Sequence, residues 1–165
     1  MVFVVEVGND DDSVLTASQQ PVAYLYLAIA LPLSWRVIPS LSATLPTGPH
    51  HVFGMHHTHV LDPTLDTGAF IRLPVNPTRS YHSLVTQLHK STDAFLNEAI
   101  DDGWEEPEWV YNVLEHLEIL DYVGDHVTHM WQYQSKSKVE TFVDRVHGLL
   151  CELDEVGGGR VIDFV

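Results

Sequence analysis

The chain has 165 residues, of which 45% are hydrophobic and 10% aromatic, so its composition predicts one folded domain rather than a disordered segment. Its 23 acidic and 8 basic side chains give a formal charge of -15, which excludes the extended basic face that long nucleic acids and anionic membranes require. A single cysteine, Cys151, excludes an internal disulfide and a zinc site built from cysteines.

The first part of the chain predicts mainly extended structure. The apolar run from Val22 to Leu33 is flanked by Pro21 and contains Pro32, and its length favours a strand buried on both faces over a helix. Other segments are predicted as strands at 2–7, 52–61 and 69–73, while residues 33–45 are ambiguous, with a spacing of apolar side chains that permits a short helix interrupted at Pro39.

The same apolar run bears on the membrane question. It has about 12 residues, fewer than the roughly 18 to 20 that a membrane-spanning helix needs. The residues before it are acidic, unlike the basic start of a secretory signal. The sequence therefore predicts a soluble, cytoplasmic protein with no membrane partner.

The rest of the chain predicts three helices. Apolar side chains recur at helical spacing from Leu84 to Ile100, in a helix that we expect to start near Asn76-Pro77-Thr78 and to end before Gly103. The other helices are predicted at 109–117 and 139–153, and extended segments at 118–123, 124–133 and 160–165.

These elements predict an α+β fold in a single domain that covers residues 1–165. Strands followed by a helix occur in both parts of the chain. We therefore expect a bilobal domain of two pseudo-repeated halves, residues 1–103 and 104–165, each with an antiparallel sheet and a flanking helix.

One heptapeptide occurs twice. Gly54 to Val60 reads G-M-H-H-T-H-V, and Gly124 to Met130 reads G-D-H-V-T-H-M, 70 residues later. Each copy lies on a predicted strand, where side chains two positions apart share a face. His56 should therefore align with Thr58, and His126 with Thr128.

If the two strands lie side by side, two imidazoles and two hydroxyls meet in one cleft. A neutral histidine can take a proton from an attacking hydroxyl or water while a protonated one gives a proton to the leaving oxygen, since an unperturbed pKa of about 6.5 permits both forms. Threonine hydroxyls can hold the phosphoryl oxygens. The pattern predicts phosphodiester chemistry that needs no metal.

These residues resemble the 2H phosphoesterases, a family named for two H-x-T/S motifs. The resemblance rests on residues 56–58 and 126–128, on their spacing, and on residues 27–32, which are similar to the first strand of RNA ligase-like and cyclic phosphodiesterase members. It implies a bilobal α+β fold, no cofactor, and hydrolysis of cyclic phosphates, 2'-5' linkages or, as in phage anti-defence members, cyclic oligonucleotides.

The resemblance also implies roles for particular residues. His56 and His126 would be catalytic, and Thr58 and Thr128 would bind the phosphate of a small nucleotide substrate. Trp131, three residues after the second threonine, is a candidate for stacking on a base.

A metal site is an alternative interpretation of the same stretches. Where the family prefers a hydrophobic residue after the threonine, this chain has His59 and His129. On strands, His57, His59 and His129 would lie opposite the predicted catalytic histidines, where a metal could collect them. The nearby side chains that could add ligands are His50, His51 and Asp62.

A third interpretation is a non-enzymatic structural or interaction protein, such as a virion or assembly component. The histidines would then be structural, and the acidic surface and tryptophans would contact protein partners. Only the phosphodiesterase requires the rings of His56 and His126 within roughly 5 to 8 Å of each other.

Overall fold

Six strands and three helices make up the part of the chain that the computed structural model describes, which is residues 22–30, 34–56, 58–65, 67–124, 126–128, 137–156 and 161–164. The strands are β1 Tyr24–Ala30, β2 Ser34–Ser40, β3 His50–Phe53, β4 Thr58–Leu61, β5 Thr67–Leu73 and β6 Val161–Asp163. The helices are α1 Tyr81–Asp101, α2 Glu106–Ile119 and α3 Lys138–Val156. The strands form one sheet in the order β4-β3-β2-β1-β5-β6, in which β5 and β6 are parallel and the other neighbours antiparallel.

Strand β1 lies inside the sheet and is buried on both faces. Leu25, Leu27 and Ile29 pack into the main core, whereas Tyr26 and Ala28 belong to a smaller cluster on the opposite face. A strand covered on both faces reads as a continuous apolar run instead of an alternating one. The predicted strand in this segment is confirmed.

Strand β2 occupies the ambiguous segment 33–45, which does not form the short helix that its apolar spacing permits. Trp35 and Val37 pack into the main core and Ile38 into the opposite cluster, which is the alternation of a strand. Pro39 pairs with Leu25 near the end of the strand instead of interrupting a helix. Because β2 buries side chains on both faces, its apolar residues happen to recur at a helix-like spacing.

Helix α1 confirms the clearest of the predicted helices. It begins at Tyr81, later than expected, because the Asn76 side chain accepts hydrogen bonds from the N–H and hydroxyl of Thr78, at 3.0 and 2.8 Å, and holds a turn there. Ser80 then caps the helix by accepting a bond from the Ser83 N–H at 3.0 Å. After the helix, Gly103 adopts a φ of 67°, a conformation that favours glycine.

Helices α2 and α3 are also confirmed. Pro107 occupies the first turn of α2, where a missing N–H costs no helical hydrogen bond. Helix α3 begins with a capping box, in which the Ser137 N–H donates to the Glu140 carboxylate at 2.9 Å and the Glu140 N–H to the Ser137 hydroxyl at 3.1 Å. No helix in the described ranges is long and apolar enough to cross a membrane.

The two faces of the sheet are covered by different parts of the chain. The main core on one face contains the buried side chains of the three helices. On the other face, the loop after β2 crosses Tyr26, whose hydroxyl lies 2.6 Å from the Ser42 carbonyl oxygen and 2.9 Å from that of Thr44. Leu45 of the same loop packs against the smaller cluster.

The α+β fold is confirmed, whereas the two pseudo-repeated halves with a sheet each are not. Residues 1–103 supply β1 to β5, and the described part of 104–165 adds only β6 to that same sheet. The extended segment predicted at 118–123 is wrong, because α2 continues to Ile119 and only Val123 makes a bridge, to Val75. The predicted strand at 2–7 lies outside the described residues.

Candidate functional site

The first copy of the repeat forms a β-hairpin and not the single strand predicted at 52–61. Strand β3 ends at Phe53, which pairs with Thr58 at the start of β4, and Gly54 to His56 lie between the two strands. His56 is therefore in the turn and Thr58 in a strand, so the predicted common face does not exist. Both side chains are exposed. His57 lies outside the described residues.

The other histidines of this hairpin have different surroundings. His50 is held by the Ser40 hydroxyl at 3.0 Å and the Gly48 carbonyl at 2.9 Å, which makes it a structural residue. The ring of His51 lies 5.9 Å from that of His89 on α1. His59 is exposed on β4, where it pairs with Val52.

The second copy is a turn where the structure describes it, so the predicted strand at 124–133 is wrong in that part. The Gly124 N–H donates to the Pro74 carbonyl at 2.9 Å, and the Val127 N–H donates back to the Gly124 carbonyl at 3.3 Å. Val127 is fully buried in the main core, whereas His126 is exposed and its ring lies 6.3 Å from that of Phe164.

Thr128 is already bound within the protein. Its backbone N–H donates to the Glu118 carboxylate at 2.6 Å, and its hydroxyl donates to the other oxygen of the same carboxylate. The residue is 2% exposed. Because a negative carboxylate takes both donors, Thr128 does not offer them to a phosphate in this conformation, contrary to its predicted role.

The two copies lie at opposite ends of the sheet. Successive cross-strand pairs place Phe53 of β3 level with Ile71 of β5, three strands away. From there β3 runs on to the turn that holds His56, while β5 runs the other way to Pro74, next to the turn that holds His126. Spacings of about 4.8 Å between strands and about 3.3 Å between residues separate the two backbones by roughly 20 to 25 Å. The structure does not bring the predicted catalytic pair together.

A cavity of about 380 Å³ lies near His126, and Arg72, Asp163 and Phe164 are among the residues that line it. Arg72 contacts Asp163 with N–O distances of 2.5 and 3.0 Å. The hydrogen bond from Arg72 lowers the pKa of Asp163, and the same bond raises the pKa of Arg72. The arginine charge is thus matched by a carboxylate, which disfavours an anionic ligand there.

The metal alternative finds no support among the residues that the structure describes. No three histidine, cysteine or acidic side chains in those ranges are arranged to hold a metal ion. Two of its predicted ligands, His57 and His129, lie outside the described residues, as does the predicted base-stacking residue Trp131. The Asp62 carboxylate accepts bonds from the hydroxyl and N–H of Thr64, at 2.6 and 3.0 Å, and these lower its pKa.

A groove that the sequence analysis did not predict lies between the first turns of α2 and α3. We call it the α2–α3 groove, and its volume is about 480 Å³. Its lining residues are Glu105, Pro107, Glu108, Ser137, Val139, Glu140, Val143 and Asp144. The acidic start of α2 is visible in the sequence, but only the fold places a second acidic helix start beside it.

Comparison of this chain with protein family models, with curated proteins and with solved structures gives no match.

Proposed function

We propose that this chain is a non-enzymatic interaction protein whose α2–α3 groove binds a basic segment of a partner protein. The observation that supports this is the groove itself, which combines carboxylates with an apolar floor. The sequence alone predicts this class as an alternative to a phosphodiesterase.

The groove offers charge and apolar surface together. Four carboxylates line it, from Glu105, Glu108, Glu140 and Asp144, and no lysine or arginine is among the described lining residues. Pro107, Val139 and Val143 add partly buried apolar surface. A segment that carries lysine or arginine beside a small apolar residue matches both features.

Helix stability explains only part of this acidity. Glu140 has a structural role in the capping box of α3, and Glu108 lies in the first turn of α2, where negative charge is favourable. Asp144 lies in the second turn of α3, beyond the reach of that effect, and faces the same groove.

Exposed charge pairs contribute only about 0.2 to 1 kcal/mol each, so four of them add about 1 to 4 kcal/mol and the groove binds one short segment weakly. Such a contact suits a reversible association. It is also sensitive to salt, since exposed charges are screened.

Titration calorimetry with a short Lys-Leu-Arg-containing peptide and its acidic counterpart tests the proposal. We expect binding of the basic peptide alone, weakened about two- to thirtyfold by the double variant Glu108→Gln with Asp144→Asn, which removes two exposed charge pairs. The control variant Glu98→Gln with Asp101→Asn removes the same charge from the exposed end of α1 and should change the Kd less than about twofold. Equal losses of affinity in the two double variants would show that net charge alone explains the binding. They would refute the proposal that the peptide binds in the groove.

The two-histidine phosphodiesterase is the function against which this proposal must be tested. The repeated motif favours it, and it requires a conformation in which His56 and His126 meet. Hydrolysis of 2',3'-cyclic nucleotides, 2'-5' dinucleotides or cyclic oligonucleotides in EDTA, abolished by His56→Ala and also by His126→Ala, would establish the enzyme. We expect no turnover of any of these substrates by the folded protein.

A further inference from the structure

Strand β4 is an open edge of the sheet. It is the outermost strand on its side, and it pairs with β3 alone in the described part of the chain. Thr58 and Val60 share the face of His51 and Phe53, and His59 lies on the opposite face. Three of the four β4 side chains, Thr58, His59 and Val60, are exposed, and Val60 is 64% exposed. Leu61, at the end of the strand, packs against the smaller cluster, while Val60 leaves an apolar side chain in contact with water.

The edge is short, at four residues, but it lacks the side chains that usually prevent strands from associating. Residues 58–61 include no lysine, no proline and no acidic side chain. Their four pairs with β3 follow one another without a bulge. The backbone groups along the outer side of β4 are therefore suitably placed to pair with another strand.

The charge distribution indicates which strand can approach. Between Arg36 and Asp62 there are 25 consecutive residues with no Asp, Glu, Lys or Arg, in a chain of formal charge -15. This uncharged segment includes β3 and β4. A second copy of the same acidic chain therefore meets no charge on the strands at this edge.

We propose that two copies of the chain associate through their β4 edges, antiparallel and around a twofold axis. Directly opposed residues of antiparallel strands share one face, so a symmetric pairing centred on Val60 sets each Val60 against its counterpart. His59 then lies opposite Leu61 on the other face. The pairing removes the most exposed apolar side chain of β4 from water and continues the six-stranded sheet into twelve strands.

The helices leave room for this arrangement. Helix α1 contacts β2 and β3, so the two copies of α1 are at least three strand spacings apart, or roughly 14 Å. That exceeds the diameter of about 10 to 12 Å of a helix with its side chains. The interface is small, which indicates a reversible dimer that forms as concentration rises.

Sedimentation velocity over protein concentrations of about 5 to 500 μM tests the dimer. The expected result is a mass that rises with concentration towards twice that of one chain. Val60→Lys, which adds a charge to the edge, should keep the chain monomeric throughout. Ile119→Lys is the matched control, because Ile119 is 71% exposed on α2, and this variant should dimerise as the wild type does.

Far-UV circular dichroism establishes that Val60→Lys is folded, and hydrogen exchange gives a second readout in the wild type. The β4 amides should become at least about fivefold better protected at the highest concentration than at the lowest, while the α1 amides stay unchanged. A wild type that remains monomeric at every concentration, or a folded Val60→Lys that dimerises as strongly as wild type, overturns the proposal.

Discussion

Thr128 gives both its backbone N–H and its hydroxyl to the carboxylate of Glu118, ten residues earlier in the chain. This contact fastens the turn of the second repeat copy to the end of α2. The corresponding residue of the first copy, Thr58, is exposed on the edge strand. One motif thus has a structural role at one site and an open surface position at the other.

The difference between the two threonines is measurable as stability. Thr128→Val removes a buried hydrogen bond to a charged group and should lower the free energy of unfolding by about 1.5 to 3 kcal/mol. Thr58→Val is the matched control and should change it by less than about 0.5 kcal/mol, because that side chain is exposed. Urea unfolding of both variants gives the comparison. Equal losses of stability in the two variants would show that the two threonines do not differ in structural role.

The ion pair between Arg72 and Asp163 predicts that stability depends slightly on pH in the acid range. The arginine lowers the pKa of Asp163, so the pair's stabilisation is present above the unfolded pKa of about 3.9 and is lost as pH falls through the lower folded pKa. Since Asp163 is more than half exposed, we expect Asp163→Asn to cost less than about 1 kcal/mol at pH 7 and almost nothing at pH 2. A cost that is the same at both pH values would contradict this account.

The environment of Tyr111 predicts that stability falls at alkaline pH. Burial, with a smaller effect from Glu115, raises the pKa of its hydroxyl from 10.0 to about 12. A raised folded pKa means that this stabilisation is complete below the unfolded value and is lost as pH rises through the folded one. Absorbance at the tyrosinate band should show a late-ionising tyrosine that Tyr111→Phe removes. Loss of an early-ionising one instead would refute the assignment.

Salt should affect the two proposed interactions in opposite directions. Raising NaCl from about 0.05 to about 0.5 M screens the attraction in the α2–α3 groove and should weaken basic-peptide binding at least about fivefold. The same change screens repulsion between two acidic chains and should strengthen the β4 dimer. Calorimetry and sedimentation in the same buffers check both. A dimer weakened by salt would show that charge attraction, and not strand pairing, holds it.

Local patterns were enough to predict some elements and not others. Helix α1 and strand β1 were predicted correctly because regular spacing, an apolar run and flanking prolines all agree with the final structure. Strand β2 was not, since Trp35 and Ile38 lie on different faces of a strand that is buried on both. At Gly54, the sequence gives little to distinguish a hairpin turn from a glycine within a strand.

The candidate site depends on contacts between residues that are distant in sequence, and local sequence patterns do not predict such contacts. The similarity of the two heptapeptides suggested similar backbones, yet one copy pairs with its own preceding strand and the other closes a turn after α2. The partner of Thr128 comes from a helix that the sequence analysis ended at residue 117, before Glu118. The α2–α3 groove likewise depends on two helix starts that are distant in sequence.

The place of β6 beside β5 has a consequence for folding kinetics. Arg72 and Asp163 are 91 residues apart, and all three helices lie between them. Closing so long a loop is slow, whereas β1 and β2 can pair early from neighbouring positions in the chain. We therefore expect Asp163→Asn to speed unfolding while leaving the folding rate nearly unchanged, because β6 joins the sheet after the rate-limiting step.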